Sequence, residues 1–291
     1  MAGRAEGRAL ETFNRANSSV DRVLAILEFF TSRQPIWSTE MLMGELKLTR
    51  ATTYRYVKSL SDAGYLVATA GGGYALGPRF IEMDRRIRLG DPLLRIAPPI
   101  MDELPKPFVG AQILSGFYGN RAVSIYVDHA DRELTLQMER GRSFPLLVGP
   151  PSRIILAHLP AYQLRNLLLS DPHGIAKAGL GQNWHEFSRN LKVIRKTGYD
   201  AAGDFDQKVI AVAAPIFRAS NVVIASLCLV RRKAISKPED MPALIELATT
   251  TGAKISQRLQ DLHHGTSQNS SQFPAPRLGK KSSSSRAQTL R

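Results

Sequence analysis

The sequence predicts an α+β protein with two unequal domains, and three observations lead to that prediction. Two short helical patterns and a glycine-tipped pair of apolar runs follow one another between Ser38 and Gly77. After Asp91, strand and helix patterns alternate, with strands near both ends of the segment. The chain has 291 residues, which is enough for two modest hydrophobic cores. A small helical domain with a hairpin is therefore predicted to precede a larger sheet domain.

The small domain is predicted to begin with a helix capped by Ser18 or Ser19, after a flexible segment of residues 1–17. Apolar residues at helical spacing predict which face of this helix enters the core. They are Val20, Val23, Leu24, Leu27 and Phe30. A second helix is predicted from Ser38 to Leu46, again with a serine at its N-cap.

A third helix is predicted from Thr49 to Leu60, with Tyr54 and Val57 on its core side together with Leu60. Its other face carries cations and hydroxyls but no acid before Asp62. A solvated helix usually mixes charge signs, whereas this surface suits anionic phosphate. The candidate DNA-binding residues are Thr49, Arg50, Thr52, Thr53, Arg55, Tyr56 and Lys58.

The position of each candidate on the helix predicts its role. In a helix-turn-helix, the early residues of the second helix meet base edges, so Arg50, Thr52 and Thr53 are the predicted readers. An arginine can bind guanine bidentately. Arg55 and Lys58 lie farther along and are predicted to hold phosphates, which positions a protein without reading sequence. On this helix alone, an ordinary amphipathic helix with a basic face remains the alternative.

A glycine-tipped hairpin follows the basic helix. Residues 64–77 place two short apolar runs on either side of three consecutive glycines, Gly71 to Gly73, which can adopt positive φ. A phosphate-binding loop is excluded, because no Gly-Lys-Ser/Thr and no long helix follow. Two helices and a hairpin in this order predict a winged helix-turn-helix over residues 18–78, with double-stranded operator DNA as its partner.

A charged helix is predicted over residues 79–90, immediately after the hairpin. Phe80, Met83 and Ile87 form one apolar stripe along it. Such a stripe either packs on its own domain or pairs with its twin in a dimer. The helix is therefore a candidate linker helix through which two copies self-associate.

Charge and cysteine content restrict the partners and the compartment. The formal net charge of +14 favours a polyanionic partner. Part of this charge lies in residues 263–291, a basic segment rich in serine that is predicted to be a disordered tail. The single cysteine, Cys228, excludes an intramolecular disulfide and fits a reducing cytoplasm. No apolar run resembles a signal peptide or is long enough to cross a bilayer, which predicts a cytoplasmic protein without a membrane partner.

Residues 91–262 are predicted to form an α+β sheet domain covered by helices on one side. Strands are predicted over residues 109–114, 122–127, 133–138, 209–217 and 222–230. Helices are predicted over residues 93–104, 152–158, 162–169, 184–196 and 238–262. Pro98 and Pro99 are expected to interrupt the first of these helices. Gly119 and Asn120 predict a hairpin between the first two strands.

Motifs spread from Ser18 to Leu262 carry a resemblance to a known family. In the small domain they are Val20 to Leu27, Thr52-Thr53-Tyr54-Arg55, and Gly73 to Arg79. In the large domain they are Gly141 to Leu146, Gly198-Tyr199, and Ala213-Ala214-Pro215-Ile216. Their order and spacing resemble the IclR family of bacterial transcription regulators. The resemblance implies a winged helix-turn-helix, a linker helix used for dimerisation, and a C-terminal GAF-like α/β effector-binding domain.

The resemblance also implies where a small molecule would bind, since in IclR-like domains the ligand lies against the central sheet. The implied effector-binding residues are Gly149, Pro150, Asp204, Asp206, Ala211, Cys228 and Val230. Ser152-Arg153 replaces a Gly-Lys pair that is common near the helix start, and Ala211 replaces a frequent cysteine. Fewer hydrogen-bonding groups favour a more apolar ligand, such as an aromatic acid. Ordinary core packing is the alternative for the three strand residues.

Residue patterns typical of catalysis are absent from the sequence. The six histidines show no HExxH spacing and no clustering with cysteine, so neither a metal nor a cofactor is predicted. The sequence contains no Gly-x-Ser-x-Gly elbow and no complete dinucleotide fingerprint. The prediction is a homo-oligomeric regulator, dimeric or tetrameric, that binds operator DNA and a small carboxylic acid. Two alternatives stay open: an enzyme acting on an organic acid with the winged helix as a docking module, and a nonspecific DNA-binding protein.

Overall fold

The computed structural model describes residues 10–15, 18–105, 109–134, 139–201 and 208–270, and for residues 263–270 it describes the backbone alone. The chain divides into two compact units, Met1–Asp91 and Pro92–Arg291. One hydrophobic cluster fills the first unit, and two clusters fill the second.

The first unit contains the predicted helices and hairpin. Its elements are α1 (Ser19–Ala25, continued by a 3₁₀ turn Ile26–Phe29), α2 (Thr39–Leu46), α3 (Arg50–Asp62), β1 (Leu66–Ala68), β2 (Tyr74–Leu76) and α4 (Arg79–Gly90). Ser18, Ser38 and Thr49 cap the first three helices, because each side-chain oxygen accepts the amide of the third helical residue. Lys47 ends α2 in the left-handed conformation at φ 52°.

The buried face of α1 differs from the prediction. Val20 and Leu24, both predicted core residues, are 65% and 55% exposed. The buried residues of this segment are Ala25, Ile26, Phe29 and Phe30. The helix changes to a 3₁₀ turn at Ile26, and the tighter winding of about three residues per turn rotates the apolar face away from its α-helical register.

A helical segment also lies within the predicted flexible N-terminus. Residues 10–14 are helical, and Phe13 is buried in the same core as Ile26 and Trp37. The small core therefore takes in residues that precede the predicted boundary at Ser18.

The second unit is built on an antiparallel sheet with strand order β5-β4-β3-β8-β7-β6. The strands are β3 (Ala111–Tyr118), β4 (Arg121–His129), β5 (Ser143–Pro145), β6 (Asp200–Ala201), β7 (Val209–Phe217) and β8 (Val223–Arg232). The predicted hairpin between β3 and β4 is confirmed, with Gly119 at φ 63° in its turn.

Helices cover both faces of this sheet, so the prediction of a sheet covered on one side is wrong. They are α5 (Pro92–Met101), α6 (Gly149–Ala157), α7 (Ala161–Ser170), α8 (Pro172–Lys177), α9 (Trp184–Thr197) and α10 (Asp240–Ser270). On β8, Cys228 and Val230 share one core cluster with α6 and α9, whereas Leu227 and Leu229 share the other with α5 and α10. The cause is that both side-chain parities of the central strands are apolar, which buries both faces.

Two helices of the second unit also differ from the predictions, and one predicted strand lies mostly outside the described residues. Helix α5 continues through Pro98 and Pro99 to Met101, and the burial of Leu93 and Ala97 in one core cluster offsets the backbone bonds that proline removes. Helix α10 continues past Leu262 to Ser270. Of the strand predicted over residues 133–138, residues 135–138 lie outside the described residues.

Candidate DNA-binding surface and effector site

The exposed face of α3 differs from the predicted one at three adjacent positions. Thr53 is fully buried, and its hydroxyl donates to the carbonyl of Thr49 at 3.1 Å. Tyr56 is also buried, whereas Tyr54 is 57% exposed. The expectation that Thr53 and Tyr56 present their side chains to DNA is therefore wrong. The core face of α3 follows the spacing i, i+3, i+4, i+7, which begins at Thr53 and ends at Leu60.

The cations of α3 are not equivalent. Arg50 and Arg55 are exposed, and neither forms an ion pair with a described residue. Lys58 forms an exposed ion pair with Asp62 at 3.0 Å, within one turn of the same helix. Arg55 also lies over the ring of Tyr56, with its guanidinium carbon 5.7 Å from the ring centroid. The positive charge of α3 that is not held in an ion pair with a described residue thus belongs to its two arginines, of which Arg50 interacts electrostatically with Glu40 of α2.

The hydroxyls at the start of α3 are organised by the helix cap. The Thr49 side chain accepts the amide of Thr52 at 3.4 Å, and its hydroxyl lies 3.0 Å from that of Thr52. Both side chains remain at least partly exposed beside Arg50. The first turn therefore presents two hydroxyls and one guanidinium together, a set that can contact base edges or phosphate oxygens.

The hairpin behind α3 is held in place by backbone contacts. Trp37 and Tyr74 exchange backbone hydrogen bonds of 3.0 and 2.8 Å, which adds a third extended segment to the β1–β2 pair. At the other end, the amide of Gly77 donates to the carbonyl of Tyr65 at 2.7 Å. The tip turns at Gly72 and Gly73, with φ of 80° and 102°. The hairpin is thus a rigid wing attached to the end of α3.

The effector residues carried over from the resemblance lie partly together. Ala211 pairs with Val230 across β7 and β8, and Cys228 lies on the same face, all beneath α6. Gly149, at φ 74°, and buried Pro150 begin α6. Asp204 and Asp206 lie outside the described residues.

The three strand residues form an apolar floor. Ala211, Cys228 and Val230 are 5%, 1% and 2% exposed. Burial raises the pKa of the Cys228 thiol, and nearby Asp200 adds to the effect, so the thiol stays protonated and packs as an apolar group. Arg153 Nε lies 3.2 Å from the buried Asp200 carboxylate, and this ion pair compensates part of the charge that Arg153 could offer to an acid.

Polar atoms that the sequence patterns did not single out lie on the same face. Ser115 of β3 pairs in register with Ser124 of β4 and with Ser226 of β8. Ser226 donates to the carbonyl of Pro151 at 2.8 Å and so fastens the first turn of α6 to the sheet. The buried hydroxyls of Ser115, Ser124 and Ser152 have no hydrogen-bond partner among the described residues. The sequence signal for these residues was a serine within an apolar strand. Only the strand register shows that Ser115, Ser124 and Ser226 lie side by side.

The start of α6 is poor in amide donors. Pro150 and Pro151 occupy its second and third positions, and proline carries no N–H. A helix N-terminus normally binds anions through several free amides. Here only Gly149 and Ser152 supply an amide in the first turn, so carboxylate recognition by backbone is reduced.

Comparison with known proteins agrees with this architecture. Residues 19–70 match the IclR helix-turn-helix domain, and residues 90–257 match the bacterial transcriptional regulator IclR C-terminal domain. The chain is 24% identical over 244 residues to the HTH-type transcriptional regulator KipR of Bacillus subtilis (strain 168), covering 84% of this chain and 97% of KipR.

Two solved structures illustrate the likeness of fold. An IclR transcriptional regulator from Silicibacter sp. TM1040 is 19% identical with a TM-score of 0.69, covering 83% of this chain and 96% of the other. An IclR homolog from Microbacterium hydrocarbonoxydans, complexed with 4-hydroxybenzoate, is 22% identical with a TM-score of 0.65, covering 83% and 99%.

A winged helix-turn-helix joined to a sheet domain defines a DNA-binding regulator with an effector-binding domain. The chain belongs to the IclR family of bacterial transcriptional regulators. The predicted family, fold class and regulatory function are confirmed. Within the described residues, no helix has the length and apolar content needed to cross a bilayer.

Proposed function

We propose that this regulator reads operator DNA through Arg50, Thr49 and Thr52, holds phosphates through Arg55 and Lys58, and is switched by a small organic acid bound beneath α6. The two arginines on the exposed face of α3, which form no ion pair with a described residue, carry the first part of the proposal. The proposed switch by an organic acid rests on the residues beneath α6 in the second unit and on the regulatory role of the family. A ligand can act as a switch only if it binds the DNA-binding and non-binding states with different affinity.

The chemistry beneath α6 supports an aromatic acid in preference to a very small one. Ala211, Cys228 and Val230 give an apolar floor, and Pro150 and Pro151 remove amides that would hold a compact anion. The unpartnered hydroxyls of Ser115, Ser124 and Ser152 offer a few hydrogen bonds on an otherwise apolar surface. Apolar walls with a small number of placed polar groups suit a ring bearing a carboxylate or hydroxyl.

A related structure points to the same ligand class. The homolog from Microbacterium hydrocarbonoxydans is complexed with 4-hydroxybenzoate, an aromatic acid. By analogy we propose that Gly149 and Pro150 border the ligand and that Asp204 and Asp206 approach it from the segment between β6 and β7. The family consists of regulators rather than enzymes, so we propose that this effector is bound and released unchanged in the cytoplasm.

A thermal-shift titration tests the effector site. We expect 4-hydroxybenzoate to raise the melting temperature of the second unit by several degrees at about one hundred times Kd, and neutral 4-hydroxybenzamide to raise it less. The variant Ser115→Ala should match or exceed the wild-type melting temperature without ligand, because it removes a buried hydroxyl that has no partner among the described residues and adds no volume to the core. The same variant should show a smaller ligand-induced shift.

DNA binding in the presence of the ligand completes this test. The operator affinity of the full chain, measured by fluorescence anisotropy, should change when a stabilising acid is added. A stabilising acid that leaves operator affinity unchanged would contradict the switch, and detectable conversion of the acid would favour the enzyme alternative.

We also propose that two copies associate through α4. Its apolar residues have little to pack on within the first unit, and Ile81 is 75% exposed. We expect Ile87→Glu to shift the sedimentation profile towards monomer and to weaken operator binding, because a dimer places two recognition helices on two half-sites. Arg85→Glu changes the charge of the same helix on the face opposite the apolar stripe and serves as the control. An unchanged sedimentation profile of Ile87→Glu would contradict the proposed interface.

A further inference from the structure

A cavity of about 680 Å³ opens in the second unit at the carboxyl end of α6. It lies between the start of α7, one face of α9, and the turn that joins β7 to β8. None of the effector residues carried over from the family lines it. Those residues include the start of α6, and the nine residues of this helix separate the two places by roughly 13 Å. The volume is within the usual range for small-molecule sites.

The charge of the cavity wall is of one sign. Lys192 and Arg195 line it, and no aspartate or glutamate is found among the described lining residues. Lys192 forms no ion pair with a described residue. Arg195 donates its Nε hydrogen to the carbonyl of Ala157 at 2.7 Å, which caps α6 and fixes the guanidinium while its terminal N–H groups stay available. Two cations thus face a cavity without a counter-charge.

His158 also lines the wall, and its imidazole is neutral at pH 7. Burial lowers its pKa, nearby Arg195 lowers it further, and a hydrogen bond of 2.8 Å between Nδ1 and the Ile154 carbonyl opposes this only in part. With Nδ1 as the donor, Nε2 is left as an acceptor. The wall therefore offers two positive charges, and the His158 imidazole adds a neutral acceptor rather than a third charge.

Aromatic rings and a helix terminus complete the wall. Phe117, Tyr162 and Trp184 line the cavity, and Arg165 lies over the Trp184 ring at 4.2 Å from its centroid, which holds the indole in place. Pro160 and Ala161 begin α7 at the cavity, and this helix start has no side-chain cap. The positive end of the α7 dipole adds to the attraction for an anion.

We propose that this cavity is a second ligand site of the regulator, specific for a planar organic anion such as an aromatic carboxylate. The carboxylate lies against Lys192 and Arg195, and the ring lies against Tyr162 and Trp184. The site is independent of the effector site proposed beneath α6, because the two share no lining residue.

The probe for this site is 4-nitrobenzoate, and 4-nitrobenzamide is its uncharged counterpart. Calorimetric titration of the full chain should give a roughly millimolar or tighter Kd for the acid, and clearly weaker binding for the amide. Bound nitrobenzoate should also quench Trp184 fluorescence. Lys192→Glu should weaken binding of the acid on the order of ten-fold, since it reverses a charge that faces the ligand.

The chain offers a matched control. Lys196 lies one turn later on α9, is exposed, and does not line the cavity, so Lys196→Glu makes the same change in net charge and should leave the Kd within about two-fold. Exposed Tyr162→Ala should weaken binding through loss of ring contact without loss of folding. Ser115→Ala separates the sites, because it should alter the effector response beneath α6 and leave the Kd of the cavity site unchanged.

Three results would overturn the proposal. They are equal affinity for the acid and the amide, equal weakening in Lys192→Glu and Lys196→Glu, and a lack of measurable binding at ten millimolar acid in a wild-type protein whose circular dichroism shows it to be folded.

Discussion

Replacing Arg50 with alanine should reduce the affinity for operator DNA by about ten- to one-hundred-fold while affinity for an unrelated duplex falls much less. Arg50 is the first residue of α3, is exposed, and has no ion-pair partner among the described residues. A guanidinium at this position can bind a guanine edge through two hydrogen bonds, and losing such a contact costs about 1–3 kcal/mol. Fluorescence anisotropy with both duplexes at one fixed salt concentration measures the two affinities.

Arg55→Ala is the informative comparison, because Arg55 is expected to hold phosphate. This variant should lose affinity for both duplexes about equally and should reduce the slope of log K against log salt by about one. Arg22→Ala removes an exposed cation from α1 and should behave as wild type. If Arg50→Ala and Arg55→Ala both bind operator as wild type does, α3 is not the reading helix. Equal loss on both duplexes for Arg50→Ala would favour nonspecific binding.

The sequence was informative about which elements exist and less so about which way they face. The strand predicted over residues 209–217 is found as β7 with the same bounds, since an uninterrupted apolar run leaves little choice. On α3, side-chain size misled the prediction, because the large Tyr54 was assigned to the core and the small Thr53 to the surface. Thr53 is buried by bonding its hydroxyl to the Thr49 carbonyl, a local solution that periodicity does not reveal.

The candidate ligand sites depend on register and tertiary packing, which sequence patterns do not contain. Ser115, Ser124 and Ser226 come from three strands and meet because the pairing of β4, β3 and β8 aligns them. Short elements were missed for a related reason. The three residues of β5 and the six of α8 are too few to show a period, and only their neighbours stabilise them.

Two features of the start of α6 act together against the binding of a small anion. Two prolines remove amides, and Arg153 is engaged with Asp200, so the two usual means of holding a small anion are weakened at once. The apolar floor on β7 and β8 and the serine hydroxyls remain. The proposed recognition beneath α6 is therefore expected to depend on ring burial more than on charge, whereas the cavity at the other end of the same helix offers charge from Lys192 and Arg195.

The second large effect is expected at Gly77, where Gly77→Ala should lower the free energy of unfolding of the first unit by about 2–4 kcal/mol. A Cβ atom at this position would lie 2.3 Å from the carbonyl oxygen of Gly64 and 3.0 Å from the carbonyl carbon of Tyr65. These atoms belong to the backbone at the end of α3, so no side-chain rotation can relieve the contact. The wing must move away from α3, which also breaks the 2.7 Å hydrogen bond between Gly77 and Tyr65.

The measurement uses the position of the tryptophans. Trp37 lies in the core of the first unit beside the wing and Trp184 lies in the second unit, so a Trp184→Phe background lets urea unfolding report on the first unit alone. Gly71→Ala is the matched control, since a Cβ there meets nothing within 4 Å. It should leave stability nearly unchanged or raise it slightly by restricting the unfolded chain. Equal midpoints for Gly77→Ala and Gly71→Ala would show that the wing is not fastened to α3 as closely as the 2.3 Å approach requires.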